Sequence, residues 1–194
     1  MFAVNEETNL NEKSAFKPNS PYASAKFECH EKVIELSSKY DWEIVSGIMF
    51  NHESEFRKKE FLIMKIITTA LQIKHSDKNE LEVGSLSYIR DWLHAEDTVN
   101  AIRIIMNKPK NNNYVIGSGI GHSIEDVVKF VFNYLNLEYL EHIKVNSSLL
   151  RKGDSERIVA NPQQLKNDYG WKNKYSLEET LIRLIDYKIS KNLY

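Results

Sequence analysis

The chain has 194 residues, 42% hydrophobic and 11% aromatic, the composition of a globular domain and not of a disordered segment. A formal charge of −1 supplies no general attraction to nucleic acid or to acidic membranes. Cys29 is single and can form no internal disulfide, and six histidines with neither ligand spacing nor a cysteine cluster argue against zinc.

No apolar run is long enough to span a bilayer. The start, Met1-Phe2-Ala3-Val4-Asn5-Glu6-Glu7, lacks the basic and apolar regions of a signal peptide, so a cytoplasmic location is expected.

Residues 1 to 21 are polar and contain Pro18 and Pro21, and they read as a loop or partly ordered arm. A helix is expected from about Tyr22 to Tyr40, with Phe27, Val33, Ile34 and Leu36 among its apolar positions. On it Tyr22 and Lys26 stand one turn apart on one face. An ammonium beside a phenol favours the phenolate, which suits a general base. Surface helices also carry such pairs, and taken alone this one is more often surface packing. Trp42 to Phe50 reads as a buried parallel strand. Beyond its carboxyl end, where ligands sit in open α/β sheets, Asn51 to Arg57 reads as a site loop, or else as an ordinary polar turn.

Phe61 to Ile73 is apolar at helical spacing, and Leu81 to Gly84 reads as a short strand. A helix is expected over Ala95 to Met106, ended by Pro109 and the Asn111-Asn112-Asn113 run. Tyr114 to Gly117 is a strand candidate. Ser123-Ile124-Glu125-Asp126 has the form of a capping box opening a helix to about Leu135. Pro162 begins a short helix that stops before Gly170. Ser176-Leu177-Glu178-Glu179 is a second capping box, for a helix through Leu181, Ile182, Ile185 and Ile189. Helices alternate with short strands, without an internal repeat or interdomain linker, and the fold class is α/β.

Gly117-Ser118-Gly119-Ile120-Gly121 invites a dinucleotide-fingerprint reading. The third glycine is replaced by His122, and no acidic residue ends a second strand at the required distance. These glycines are expected to make a strand-to-helix turn instead.

Four segments then occur in one order: Ser20-Pro21-Tyr22-Ala23-Ser24-Ala25-Lys26; Gly47-Ile48-Met49-Phe50-Asn51-His52-Glu53-Ser54; Gly84-Ser85-Leu86 with Arg90-Asp91-Trp92-Leu93-His94-Ala95-Glu96-Asp97; and Arg151-Lys152-Gly153-Asp154 with Asn161-Pro162 and Tyr169-Gly170-Trp171. Together they resemble an extended short-chain dehydrogenase/reductase, and specifically the GDP-mannose 4,6-dehydratases, over essentially the whole chain. The first and last segments are shared with nucleotide-sugar epimerases and dehydratases generally. Phe-Asn-His-Glu-Ser and Arg-Asp-Trp-x-His-Ala are more particular to the GDP-mannose enzymes.

The resemblance implies the C-terminal part of a Rossmann-like fold with its smaller substrate-binding domain. Residues 1–55 would be the remaining NAD(P)-binding part. Residues 56–194 would be mainly the nucleotide-sugar domain, with Arg90–Met106 and Tyr114–Gly117 returning to the Rossmann sheet. It implies NADP as cofactor, Tyr22 as the acceptor of the sugar 4-hydroxyl proton, and Lys26 as its partner on the ribose hydroxyls. His52 and Arg57 would contact NADP, a guanidinium suiting its extra phosphate. Asn51, Lys65, Arg90 and Arg151 would lie near the nucleotide-sugar, and Asp154 near its nucleotide end.

Departures accompany the match: Ala3 stands where the family has glycine, Phe56 where it usually has arginine, and Lys152 where it usually has proline. Nothing in the chain resembles the family's Gly-rich pyrophosphate turn or its Ser/Thr-x-Glu catalytic segment, so a truncated form with little or no activity alone is expected. The partners implied are GDP-mannose or a related nucleotide-sugar, and a second copy or a chain carrying the missing half. An epimerase or dehydratase for another nucleotide-sugar, and a non-catalytic sugar-nucleotide-binding module, are the alternatives.

Overall fold

A computed structural model describes residue 2 and residues 9–76, 79–150 and 153–193. Helix α1 (Pro21–Lys39) starts at Ser20, whose hydroxyl accepts from the Ala23 N–H, with Pro21 supplying a helical φ in the first turn. Within it only Ala23 and His30 are buried. His30 Nδ1 lies 2.7 Å from Ser46 Oγ, and a row of rings, Phe27, Phe16, Phe2 and Phe50, continues the attachment with successive centroids 5.5, 5.0 and 5.8 Å apart.

The next stretch changes partner midway. Strand β1 (Ser46–Met49) runs parallel to β6 (Asn113–Ile116), with Ile48 opposite Val115. Phe50 N–H still donates to Ile116 O at 2.9 Å. Strand β2 (Asn51–Glu53) then pairs in parallel with β5 (Trp92–His94), Glu53 opposite His94. Two expectations are corrected here. The strand begins at Ser46 and not Trp42, because Trp42 is half exposed and stacks on Tyr40. Asn51 to Glu53 is strand and not loop, because β5 satisfies its backbone despite the polar side chains.

Helix α2 (Leu62–Lys74) is apolar nearly all round. Ile63, Met64, Ile66, Ile67, Ala70 and Leu71 are fully or almost fully buried, as expected of a helix covered on several sides. It packs between α4 (Ile124–Tyr134) and α6 (Leu177–Lys191), whose Val128, Val131, Phe132, Leu181, Leu184 and Ile185 complete the largest core. Strands β3 (Leu81–Val83) and β8 (Ile143–Val145) pair in parallel beside it.

A second core joins β5 and β6 to α3 (Ala95–Asn107) and α5 (Gln163–Tyr169) through Leu93, Ala101, Ile105, Tyr114, Leu165 and Trp171. In a small three-stranded sheet β4 (Ile89–Arg90) is flanked by antiparallel β7 (His122–Ser123) and parallel β9 (Arg157–Ile158). Both capping boxes form. Ser123 Oγ accepts from Asp126 N–H and Ser176 Oγ from Glu179 N–H, each acidic side chain returning the bond. Gly170 ends α5 in the left-handed region, φ 63°. Among the described residues no helix is long and apolar enough to cross a membrane.

Candidate functional site

The change of partner at Phe50 delivers a short polar turn beyond β2. Asn51 Nδ2 donates to Asp91 O at 3.2 Å, and His52 Nδ1 lies 3.0 Å from Phe50 O. The Arg57 N–H donates to Ser54 O at 3.0 Å, closing the turn. The Arg57 guanidinium lies 3.5 Å above the Phe61 ring, and its Nε is 3.5 Å from Glu53 Oε2. Its two terminal nitrogens have no hydrogen-bond partner among the described residues. The two residues expected to contact NADP, His52 and Arg57, thus flank one turn. Phe56, at its corner, is 84% exposed.

Glu53 stands within the Phe-Asn-His-Glu-Ser run, but the sequence assigns it no role. It is buried, with Oε2 lacking a hydrogen bond, and burial pushes its carboxyl up to about 7 against the opposing pull of Arg57. His94, opposite it on β5, is also buried, and desolvation holds its imidazole below the ordinary value while Glu55 opposes that shift. The alternation of β2 is the signal that could have found Glu53, since Asn51 is exposed and Glu53 faces inward.

Of the residues expected near the nucleotide-sugar, Arg90 and Asp154 are brought together at 3.0 Å by the pairing of β4 with β9. Arg90 also donates to the Ile89 and Glu156 carbonyls. Lys65 Nζ donates to Glu82 O at 2.7 Å, tying α2 to β3. Asn51 reaches the same β4–β5 junction through Asp91 O. Arg151 lies outside the described residues, as does Lys152.

Tyr22 and Lys26 occupy the first turns of α1. Tyr22 is 73% exposed, with Lys26 Nζ 5.6 Å from its ring centroid. Among the described residues neither is joined to His52, Arg57 or Arg90 by a hydrogen bond or ion pair. Exposed surface clefts of about 300 and 310 Å³ lie elsewhere, one beside Asn11, Asn161 and Gln164 and one beside Trp92, His122 and Tyr175. Neither is lined by an expected site residue.

Asp91 is the hub that spacing alone did not reveal. Fully buried, it accepts from Ser118 N–H (2.9 Å) and Ser118 Oγ–H (2.7 Å) at Oδ1, and from Gly119 N–H (2.9 Å) and Ala160 N–H (3.1 Å) at Oδ2. The Ser118 and Gly119 amides therefore face an internal carboxylate and not a ligand phosphate, and the run is a turn, though it leads into the two-residue strand β7 before α4. Gly119 adopts φ +84°, which favours glycine. Among the described residues no cluster of His, Cys, Asp and Glu has the geometry of a metal centre.

A family model described as GDP-mannose 4,6 dehydratase matches residues 1–184. The chain is 29% identical over 175 residues to GDP-mannose 4,6 dehydratase 2 of Arabidopsis thaliana, which covers 90% of this chain and 47% of that protein. It is 28% identical over 190 residues to GDP-mannose 4,6 dehydratase of Drosophila melanogaster, with coverages of 89% and 48%. The chain thus spans about half the length of these relatives. Its fold matches that of dTDP-glucose 4,6-dehydratase from Bacillus anthracis in complex with NAD, with TM-score 0.87, 24% identity, and 99% of this chain and 59% of that one covered. RMD from Pseudomonas aeruginosa complexed with NADPH gives a TM-score of 0.84 at 21% identity, covering 93% and 60%. The α/β architecture is therefore that of the Rossmann-like extended short-chain dehydrogenase/reductases. With its match running from residue 1 to residue 184, this chain belongs to the GDP-mannose 4,6-dehydratase family.

Proposed function

We propose that the chain supplies the Tyr-Lys pair and the nucleotide-sugar side of a GDP-mannose 4,6-dehydratase that works with NADP. The observation that carries this reading is the gathering of Asn51, Arg90 and Asp154 around the β4–β5 junction, in a chain matched to that family over residues 1–184. A guanidinium already turned toward a carboxylate at 3.0 Å suits a diphosphate, which can take its place with similar geometry.

The intact reaction would oxidise C4 of the sugar, eliminate water across C5 and C6, and return hydride to C6. Tyr22 would accept the 4-hydroxyl proton, its exposed phenol giving a substrate direct access, and Lys26 would hold the ribose hydroxyls one turn along the helix. Arg57 fits the extra phosphate of NADP, since its terminal nitrogens are free among the described residues and its plane is fixed on Phe61. When bound, the nicotinamide supplies the hydride chemistry. Asn51, Lys65, Arg90, Arg151 and Asp154 are assigned to the nucleotide-sugar.

We divide the chain at residue 55 into a nicotinamide-binding part and a mainly substrate-binding part. The β1–β6 and β2–β5 pairings support placing Arg90–Met106 and Tyr114–Gly117 with the first. Association with a second copy, or with a chain supplying the remaining half, is the partner reading. The largely exposed surface of α1 supports it.

No segment of the 194 residues resembles a pyrophosphate turn or the Ser/Thr-x-Glu motif, so little or no turnover is expected from the chain alone. A second reading, a dehydratase or epimerase for another nucleotide-sugar, is favoured by fold relatives such as MoeE5 in complex with UDP-glucose and NAD. Calorimetric binding of GDP-mannose, UDP-glucose and dTDP-glucose, with a turnover assay for the 4-keto-6-deoxy product, separates the readings. Preference for a UDP- or dTDP-sugar refutes the GDP-mannose assignment. Product formation by the chain alone refutes the proposal that it is inactive by itself.

A further inference from the structure

The Ser54–Arg57 turn is seated on the last helix by its two corner residues. Glu55 Oε1 accepts from Arg183 Nη2 at 3.2 Å and Nε at 3.3 Å. Phe56 meets Tyr187 edge-on, with centroids 6.0 Å apart and rings inclined at 64°. Arg183 and Tyr187 are one helical turn apart, so a single face of α6 holds both corners. Phe56, exposed and out of keeping with the family's usual arginine, thereby has a partner.

Arg183 is itself fixed. Its Nη2 donates to Glu96 Oε1 at 2.9 Å and its Nη1 to Tyr175 Oη at 2.6 Å, while the guanidinium lies 4.6 Å from the Tyr175 ring centroid. Tyr175 Oη–H donates to Glu96 Oε2 at 2.9 Å, and the backbone N–H groups of Lys174 and Tyr175 donate to buried Asp97. A planar fork with this many fixed partners loses little further freedom by holding Glu55. Beneath the pair, His94 Nε2 is 3.8 Å from Glu55 Oε2.

We propose that Arg183, helped by Tyr187, is a positioning residue for the turn flanked by His52 and Arg57, so that α6 sets the cofactor contacts without touching the cofactor. The proposal rests on the reading of His52 and Arg57 as NADP contacts. Tyr187 lies past residue 184, where the family match ends. Loss of Arg183 leaves Glu55 without its cation, and the turn opens at the end from which Arg57 projects.

The test is amide hydrogen exchange on the full chain, comparing wild type with Arg183→Met, Arg183→Lys and Glu55→Gln. Arg183→Met should speed exchange over residues 55–61 about tenfold, with residues 127–132 of α4 unchanged. Arg183→Lys should rescue partly, and Glu55→Gln, which leaves Arg183 on Glu96, should speed exchange over the same residues. Unchanged exchange over 55–61, or equal acceleration in α4, overturns the proposal. NADP titration with an Arg57→Ala control separates it from the cofactor reading. If Arg57→Ala does not weaken NADP binding, or the wild type binds none, the cofactor reading fails and with it the cofactor role assigned to Arg183. If Arg57→Ala weakens binding but Arg183→Met does not, the role of α6 in cofactor placement is refuted alone.

Discussion

The carboxylate of Asp91 and the α-carbon of Gly117 pack so closely that a β-carbon at position 117 would stand 3.0 Å from Oδ2, and 2.4 Å from the Ala160 Cβ. Three chain segments, the β4–β5 junction, the turn after β6 and the residues after β9, close on this one acid. The junction also carries Arg90 and receives Asn51, so the proposed substrate side depends on it.

Asp91→Asn replaces one acceptor oxygen with a donor facing buried N–H groups, and Gly117→Ala forces the Ala160 contact apart. Each should destabilise the chain by about 2–4 kcal/mol, read as a lower urea midpoint. A loss below about 0.5 kcal/mol for both would show that the junction is not held this way.

Glu53 should make stability fall with rising pH. Its folded value of about 7 lies above the ordinary 4.5, so between those values the folded chain binds more protons than the unfolded one. Stability is then lost as pH rises through that window. Glu53→Gln removes the ionisation and should become more stable relative to wild type by about 1–3 kcal/mol between pH 5 and pH 8. Parallel stability curves for the two proteins would contradict the burial argument.

Tyr22→Phe should leave the melting temperature nearly unchanged, within about 0.5 kcal/mol of stability, because the ring is 73% exposed and its hydroxyl bonds to no described residue. A larger loss in thermal denaturation would give Tyr22 a structural task that competes with the catalytic one proposed.

Ser176→Ala removes the side-chain cap of α6 and should cost about 1 kcal/mol. Because Arg183 lies on that helix, circular dichroism melts and exchange over residues 177–181 should shift together. Ser123→Ala should cost a similar amount at α4, without affecting residues 55–61.

Much of the local structure was legible because local chemistry decides it. Ser20-Pro21, the two Ser-x-x-acid boxes, Pro162 and Gly170 each mark a helix end with groups only a few residues apart, and the observed ends agree within a residue or two. The strand after Tyr40 was less legible. Trp42 to Val45 have strand-forming side chains but no ladder partner, whereas Asn51 to Glu53 look like loop and are paired by β5. Pairing depends on a strand roughly forty residues away, which local composition does not encode.

The candidate site divides in the same way. Residues adjacent in sequence, such as His52 and Arg57 or Tyr22 and Lys26, could be grouped from spacing. Asp91 with Ala160, or Glu55 with Arg183, meet only through tertiary packing and carry no local signal. The resemblance named Arg90 and Asp154 separately; their contact at 3.0 Å became visible only with the β4–β9 ladder.

The central claim is that these residues bind a GDP-sugar, and it is tested most directly by thermal-shift titration of the purified chain with GDP-mannose, UDP-glucose and NADP. Stabilisation grows with the ratio of ligand concentration to dissociation constant, so even modest binding registers. The account predicts a concentration-dependent rise in melting temperature with GDP-mannose, a smaller or absent rise with UDP-glucose, and a weaker rise with NADP that Arg57→Ala reduces. A cooperative melt that UDP-glucose raises and GDP-mannose leaves unmoved would contradict it.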